Sequence, residues 1–590
     1  MVVARRWVWR GEADGAARTV AEALAGAGIR PGALLARLLW NRGVRDGEAA
    51  LAFLRPTLAH GLRSPLLLRD MDTAARRLAD ALAAGERIAV YGDYDVDGIT
   101  GAAQLVIFLR ELGADPLLHV SNRFREGYGL HGGAIRALAE AGARVLVTAD
   151  CGTANVAELA LAASLGMDVI VCDHHHAPVT RPPAMAVLNP LRADCEFPFK
   201  GLSGAGVVFY LLMGLRMELR ARGHAPLPDL RPYLDLVALG TVADVVPLRE
   251  ENRVLVAHGL RALDGTARPG LQALKEAAVV ERASVRAIGF RLAPRLNAGG
   301  RLAEAQRAVD VLVTSDPGVA RALAAELECC NAERRAIEET MVAEAVGLVA
   351  DRPGRAIVVA SDGWHQGVVG IVAARLAERF HRPALVIALD GPVGRGSGRS
   401  VRGVDLHGAV SECRALLETF GGHRQAVGFS LRRESVAALT AAFEEVVART
   451  VAPADTEPLL ALDAEMMLAA VTPALAEALV ALEPHGPGNP EPVFLARDVR
   501  VASARTVGDP SRPHLRLRLS QEGRTVPAIA FGRGNAAIAV DDRLDVAFTP
   551  RMSRWQGVDR LEIEVLDVRQ AERVPDGAQV AENTRELQIP

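Results

Sequence analysis

Lysine is almost missing from this 590-residue chain: Lys200 and Lys275 stand against 66 arginines. With alanine so abundant, that bias reflects genomic base composition and carries no functional weight. Aromatic residues are only 4% of the chain, which argues against a rich base-stacking platform. Cysteine is sparse as well. Cys151, Cys172, Cys195, Cys329, Cys330 and Cys413 form no Cys-x-x-Cys pair and no disulfide-framework spacing, so they read as reduced thiols. There is no run of about 18 apolar residues, and the opening MVVARRWVWRGEADG lacks the apolar core of a secretory signal. The expectation is a soluble, cytoplasmic protein without a membrane segment. A dominant charge is absent too: 68 Lys plus Arg meet 71 Asp plus Glu, a net of -3, so any polyanion site must be local.

What is present is globular. Half the residues are hydrophobic and 24% are charged, and the length gives room for three or four domains at roughly 150 residues each. Residues 1–70 mix short apolar patches with Gly and Pro and read as an N-terminal helical segment without a recognisable site. Over 71–260, helix-like stretches alternate with short continuous apolar runs: RIAVY, RVLVT and DVIVC. Such runs imply strands buried on both faces, hence a parallel sheet covered by helices. A helical connector follows over 261–352. Its 317–350 stretch has no Pro after Pro317, and the spacing predicts one long helix. A smaller α/β unit occupies 353–455. Over 456–580 the pattern turns to strict alternation, as in HLRLRLS, and predicts a twisted antiparallel sheet or small barrel. No internal repeat or heptad argues for assembly, so a monomer is the default.

The chemistry gathers where apolar runs end. RIAVY leads into GDYDVDGIT with Asp93, Asp95 and Asp97. The second run ends at Asp150 in TADCGT, and the third in Asp173, His174, His175 and His176. A fourth apolar stretch, DLVALGTVADVVPL, is read as another strand that presents Asp244. Open α/β sheets bind ligands at such carboxyl ends. A lone aspartate there is as readily a helix N-cap as a ligand, but the combination argues for metal. Like charges this close need cations, and carboxylates with imidazole suit Mn²⁺ or Mg²⁺ better than structural zinc. His176, before Ala177 and Pro178, reads as a loop residue, Asp173 as a group that orients a neighbouring ring, and Cys151 and Cys172 as packing. Asp93 to Gly98 matches the start of a calcium loop, but position twelve is Gln104 and a strand precedes it. An aspartyl-phosphate nucleophile on the same Asp-x-Asp would leave the histidines unused.

A second constellation lies in the smaller α/β unit. GPVGRGSGRS (391–400) reads as a glycine-rich loop that lets backbone N–H groups and arginine forks approach phosphate, and Gly421, Gly422 and His423 as a second glycine turn. Trp364 and His365 read as interface packing.

DYDVDG, TADCGT, DHHH and GTVADVVPL, in this order, resemble the motifs of the DHH phosphoesterase superfamily. PRLNAGGRL, WHQGVVGIVAARL, GSGRS, GGHRQAVGF and PHGPGNPEPVF resemble its RecJ family of single-strand-specific exonucleases. Gly299 and Val427 depart from the family pattern without removing a ligand. The resemblance implies a catalytic parallel-sheet DHH domain, a long connecting helix, a smaller DHHA1-like α/β domain and a C-terminal OB-like β-barrel. It implies two divalent cations, Mn²⁺ or Mg²⁺, on Asp95, Asp97, Asp150, His174 and Asp244, with Asp93 and Asp173 as less certain neighbours. Two-metal chemistry suits in-line phosphodiester cleavage, with His175 as a candidate either to contact the scissile phosphate or to protonate the leaving oxygen. Ser397, Arg399, His423 and Arg301, supported by Asn297, would surround the 5′-terminal phosphate. Arg516, Arg518, Arg551, Arg554 and Trp555 are the barrel candidates for strand binding, with a solvated edge as the alternative. The implied activity is 5′→3′ degradation of single-stranded DNA to 5′-mononucleotides in recombination and repair, with a RecQ-type helicase and a single-strand-binding protein as partners. The alternatives are a DHH-type oligoribonuclease or nucleotide phosphatase, and a catalytically silent single-strand-binding relative.

Overall fold

A computed structural model of the chain describes residues 5–11, 17–123, 126–178, 180–302, 304–350, 354–510, 513–555 and 558–571. Its contacts divide the chain into two compact units, Leu62–Pro458 and Val2–Gly61 with Leu459–Pro590.

Within the first unit, five strands pair in parallel in the spatial order Leu117–Val120, Ile88–Gly92, Val145–Ala149, Asp168–Cys172, Ala186–Leu188. Numbered along the chain, that order is 2-1-3-4-5, and it reverses between the first and third strands. Ile88–Gly92 and Val145–Ala149 are buried along their whole length, as strands covered by helices on both faces must be. The ends of those two strands carry Asp93 and Asp150, so the acidic loops sit at the switch point where a doubly wound sheet leaves a crevice.

One expected strand is a helix. Leu234–Ala243 is α-helical, and Asp244 is its C-cap. Every residue from Leu234 to Val242 is buried, so no polar face gives the helical period away, and a decamer whose only polar side chains are Asp235 and Thr241 cannot be told from a strand by periodicity. Asp244 still reaches the crevice, from a helix end.

The helix Pro317–Ala350 runs unbroken for 34 residues. Its buried positions are Ala320, Ala324, Leu327, Asn331, Arg334, Glu338, Met341, Ala345 and Val349, a stripe with steps of three and four. The first three join the core of the catalytic domain, and the last three join that of the smaller α/β domain. One rod thus serves two cores, with a polar stretch between them.

The smaller domain holds five strands in the order Thr419–His423, Ala426–Arg432, Val393–Arg399, Ala384–Asp390, Ile357–Asp362, parallel only between the last two. The expected glycine-rich loop and glycine turn are therefore strands. The alternation Val393-Gly-Arg-Gly-Ser-Gly-Arg399 puts glycines on one face, where a Cβ on Gly396 would come within 2.2 Å of the Phe429 ring and one on Gly398 within 2.6 Å of Leu385. These glycines make room for core side chains, and the opposite face carries Arg395, Ser397 and Arg399.

In the second unit, Phe494–Val507 pairs with both His514–Gln521 and Arg543–Trp555. Arg524–Ala530 meets Val558–Gln570 in parallel, and a five-stranded barrel closes. Val20, Leu24, Leu35 and Leu39 from the N-terminal helices share its core with Phe494, Leu517 and Phe548. The strand Arg6–Trp9 pairs with Leu459–Leu462, and buried Arg42 reaches Asn489 at 2.9 Å and Asp463 at 3.4 Å.

Gly396→Ala is expected to cost about 1–3 kcal/mol, because buried Phe429 has nowhere to retreat. A lower urea midpoint for the smaller domain, followed by fluorescence, checks this.

Candidate metal centre and anion pocket

Asp95 caps the helix Val96–Glu111, its Oδ1 accepting from the N–H groups of Asp97 at 2.9 Å and Gly98 at 3.3 Å. The capping reading is thus correct for one oxygen, and the tight turn it makes delivers Asp97. A Cβ on Gly98 would lie 2.6 Å from the Asp93 backbone, so the loop can fold back this closely only with glycine there. Asp97 is buried and accepts from the N–H groups of Gly204 (2.6 Å) and Ala205 (2.9 Å), at the start of a second helix, Gly204–Ala221. That helix end favours negative charge. It also comes so near Asp150 that a Cβ on Gly204 would lie 2.7 Å from Asp150 Oδ1.

The Nε2 atom of His174 is the meeting point. It lies 3.1 Å from Asp150 Oδ1, 3.4 Å from Asp244 Oδ2 and 3.8 Å from Asp97 Oδ2. His174 Nε2, Asp150 Oδ1 and Asp244 Oδ2 are buried and make no hydrogen bond. Three polar atoms orphaned together lack a shared partner, and a divalent cation fits that description. Ligand atoms cluster as Asp97, His174 and Asp244, as Asp93, Asp95 and Asp150, and as Asp150, His174 and His175.

Electrostatics agree. Burial first, then the Asp95 charge, pushes Asp93 up to about 8 and Asp97 up to about 7. Burial and the Asp97 charge push Asp244 up to about 9 and Asp150 well above the usual carboxylate range. His174 is driven down to about 4 by burial and by His175, so its ring is neutral and free to ligate.

Asp173 works differently. Its oxygens accept from the N–H groups of Thr153, His174 and His175 and lie 2.8 Å from His175 Nδ1. Burial opposes its charge, but the His175 and His174 interactions with the Thr153 hydrogen bond prevail and hold its pKa well below normal. It supports the histidine ring. His175 Nδ1 is also 2.8 Å from the Tyr128 hydroxyl. Cys151 and Cys172 are fully buried with thiols pushed up by burial, in keeping with packing.

A cluster of the opposite sign lies in the same unit. Arg399 donates to Ser397 Oγ at 3.1 Å, and Arg301 donates to the Gly367 carbonyl at 3.3 Å. Burial and the nearby Arg123, Arg334 and Arg399 push Arg301 down to about 9; burial and Arg123 lower Arg399. Arg123, Arg301 and Arg399 have no carboxylate partner among the described residues. The helix Val369–Phe380 begins here, a Cβ on Gly370 falling 3.1 Å from Ser397 Oγ and 3.2 Å from Arg399. Guanidinium groups converging on a helix N-terminus make an anion pocket. His423 shares a row across the sheet with Arg399, Ala426 lying between them, and its pKa is lowered by burial and by that charge. Asn297 is half-buried one helical turn before Arg301. Trp364 is buried and donates to Glu344 at 2.7 Å, which is packing as expected.

On the barrel, Arg516 and Arg518 are exposed, with Arg505 in register with Arg516 on the next strand. None of the three has a carboxylate partner among the described residues. Arg551 is engaged by Glu491 at 2.8 Å and Glu564 at 2.6 Å. The side chains of Arg554 and Trp555 lie outside the described residues. Arg123, Tyr128 and Arg505 escaped sequence reading; Arg123 follows a strand end, and that position was the available signal.

Three domain models match in order: the DHH family N-terminal domain over residues 87–241, the DHHA1 domain over 354–449 and the RecJ OB domain over 462–567. The single-stranded-DNA-specific exonuclease RecJ of Thermus thermophilus is 37% identical over 94% of this chain and 78% of that protein. That of Escherichia coli is 38% identical over 83% and 87%. The chain belongs to the RecJ family. The crystal structure of Thermus thermophilus RecJ in complex with Mn²⁺ superposes with a TM-score of 0.82 at 34% identity, covering 96% of this chain and 79% of that one. A second, in complex with Mg²⁺, gives 0.76 at 32% identity over 96% and 78%. This RecJ-family chain presents oxygen and imidazole ligands that suit either ion. Among the described residues no helix is long and apolar enough to cross a membrane.

Carboxylates with raised folded pKa values hold protons that the unfolded chain, near 4, releases. Metal-free stability therefore falls as pH rises through about 7 to 9. Because Mn²⁺ binding displaces those protons, the rise in melting temperature at a fixed Mn²⁺ concentration is expected to be small at pH 5 and to grow toward pH 8. Differential scanning fluorimetry across that range checks the sign.

Proposed function

We propose that this chain is a metal-dependent exonuclease that degrades single-stranded DNA from the 5′ end to 5′-mononucleotides, in recombination and DNA repair. The observation that carries the reading is the presence in one unit of a carboxylate–imidazole cluster and a separate pocket of unneutralised arginines. An anchor for a terminal phosphate beside a cleavage centre accounts for both polarity and one-nucleotide steps.

Asp95, Asp97, Asp150, His174 and Asp244 would hold two divalent cations, with Asp93 beside them. Bound there, the ions supply Lewis acidity at the scissile phosphate and lower the pKa of water. The chain's own residues do the rest. Ser397, Arg399, Arg301 and Arg123 grip the terminal phosphate, His423 lies at the edge of that pocket, and Asn297 supports the Arg301 helix. His175 is held at Nδ1 by Asp173 and Tyr128, which orients the ring, and in its protonated form the Nε2–H would pass its proton to the leaving oxygen. Exposed Arg505, Arg516 and Arg518 hold the strand's backbone on the barrel. A RecQ-type helicase to open ends and a single-strand-binding protein are the partners this reading calls for. The compartment this reading calls for is the cytoplasm.

Asp150→Ala is expected to lower turnover by at least about 10³-fold while strand binding is retained. DNA labelled separately at each end and digested with and without Mn²⁺ reads polarity and metal dependence together. Robust cleavage by the variant would sink the metal assignment, and cleavage confined to dinucleotides or short RNA would favour an oligoribonuclease. Removing Arg505, Arg516 and Arg518 together is expected to flatten the slope of log K against log salt by about 0.7 per lost phosphate contact.

A further inference from the structure

The first unit contains a cavity of about 680 Å³ that touches both ends of the site. At one end it is lined by Arg123 and Ser397 of the arginine pocket. At the other it is lined by Tyr128, whose hydroxyl lies 2.8 Å from His175 Nδ1 and 3.4 Å from the Asp150 carbonyl. A nucleotide gripped by its 5′-phosphate and cut at its 3′-phosphate must span those ends with its sugar. Its base then has to project to one side, and this cavity opens along that span.

The floor is built for a flat group. Across the sheet, Arg399, Ala426 and His423 form one row in register, Ser397, Gly428 and Gly421 the next, and Arg395, Ser430 and Thr419 a third. Rows two residues apart along a strand are separated by about 7 Å. The middle row beyond Ser397 is bare: a Cβ on Gly421 or Gly428 would have nothing within 4 Å. Unlike Gly396 on the other face, these two glycines leave open space and no side chain fills it. The third row forms a polar rim, with the Thr419 and Ser430 hydroxyls 2.6 Å apart and Arg395 donating to Gln366 at 3.0 Å. Glu418 lies on the same rim and pairs with Arg432 at 3.4 Å. Hydroxyls, an amide, a cation and a carboxylate offer donors and acceptors in both senses, so no one base edge is preferred.

The volume decides the next step. Cavities of roughly 300–1,000 Å³ enclose whole drug-sized molecules, well beyond a bare purine or pyrimidine ring. We propose that this cavity receives the base of the 5′-terminal nucleotide and has room for one enlarged by a covalent adduct, so that the enzyme removes damaged terminal nucleotides as well as intact ones. The proposal rests on the reading of Ser397, Arg399, Arg301 and Arg123 as the anchor for the terminal phosphate.

The test is single-turnover release of the first nucleotide from 5′-phosphorylated strands that differ only at the terminal base: guanine, guanine with an N²-benzyl group, and no base. The holoenzyme with Mn²⁺ is compared with Gly428→Leu and Gly421→Leu, each of which extends over the floor from a strand position where a Cβ meets nothing within 4 Å. Wild-type protein is expected to release the benzylated nucleotide within about threefold of the plain one. The leucine variants are expected to slow the benzylated end by at least about tenfold, the plain end less and the abasic end least. A wild-type rate that falls tenfold on the adduct, or variants that slow all three ends alike, overturns the proposal. The wild-type comparison stands even if a variant misfolds. A strand ending in 5′-hydroxyl, released as fast as its phosphorylated twin, would instead mark failure of the anchor reading.

Discussion

Charge segregation is the constraint on which the rest of the unit depends. Asp97, Asp150 and Asp244 crowd around His174 with Asp93 and Asp95 beside them, and burial with their neighbours' charge pushes Asp93, Asp97, Asp150 and Asp244 upward, while burial and the Arg123 charge push Arg301 and Arg399 downward. A chain folding for stability alone would pair these groups, because an unpaired buried charge costs several kcal/mol. Here no arginine of the pocket pairs with an aspartate of the centre among the described residues. Tyr94 stands between them, its ring 5.4 Å from Arg123 and its hydroxyl pushed up to about 12 by burial and the Asp93 charge. Among the described residues both clusters are left without a neutralising partner, the acidic one with a geometry that suits divalent cations.

The fold maintains that separation. The acidic cluster hangs from the ends of two adjacent parallel strands and two helix termini. The arginines come from a loop, a helix end and a strand of a second sheet. The long helix spans both cores, and its polar middle stretch, where Arg334 bonds Glu338 at 2.8 Å, comes near Arg301. Rigid elements thus set the interval between the acidic cluster and the arginine cluster.

Much of this was legible in the amino-acid sequence. The strand ends carrying Asp93, Asp95, Asp97, Asp150 and His174 announced themselves, because two-sided burial writes continuous apolar runs and the polar residues after them stand out. The helix 317–350 was legible because nothing in it breaks a helix. Asp244 was found although its carrier was misread, since an entirely buried helix loses its periodic signature. The glycine strand was taken for a loop because glycine's preference for turns outweighs its rarer use, making room for Phe429 and Leu385. Arg505 was not legible at all, and Arg123 offered only its place just after a strand end. In a chain with 66 arginines, what singles out a functional one is the absence of a carboxylate neighbour, and only the folded arrangement shows that.

The second unit is assembled from the two ends of the chain: helices within Val2–Gly61 complete a core whose barrel begins after Leu459. During translation those helices are made before the barrel, and their apolar faces cannot be covered until all of Leu62–Pro458 and then the barrel strands have been made. At about 5–20 residues per second that wait lasts on the order of tens of seconds. The nascent chain therefore carries those apolar faces uncovered while Leu62–Pro458 is made.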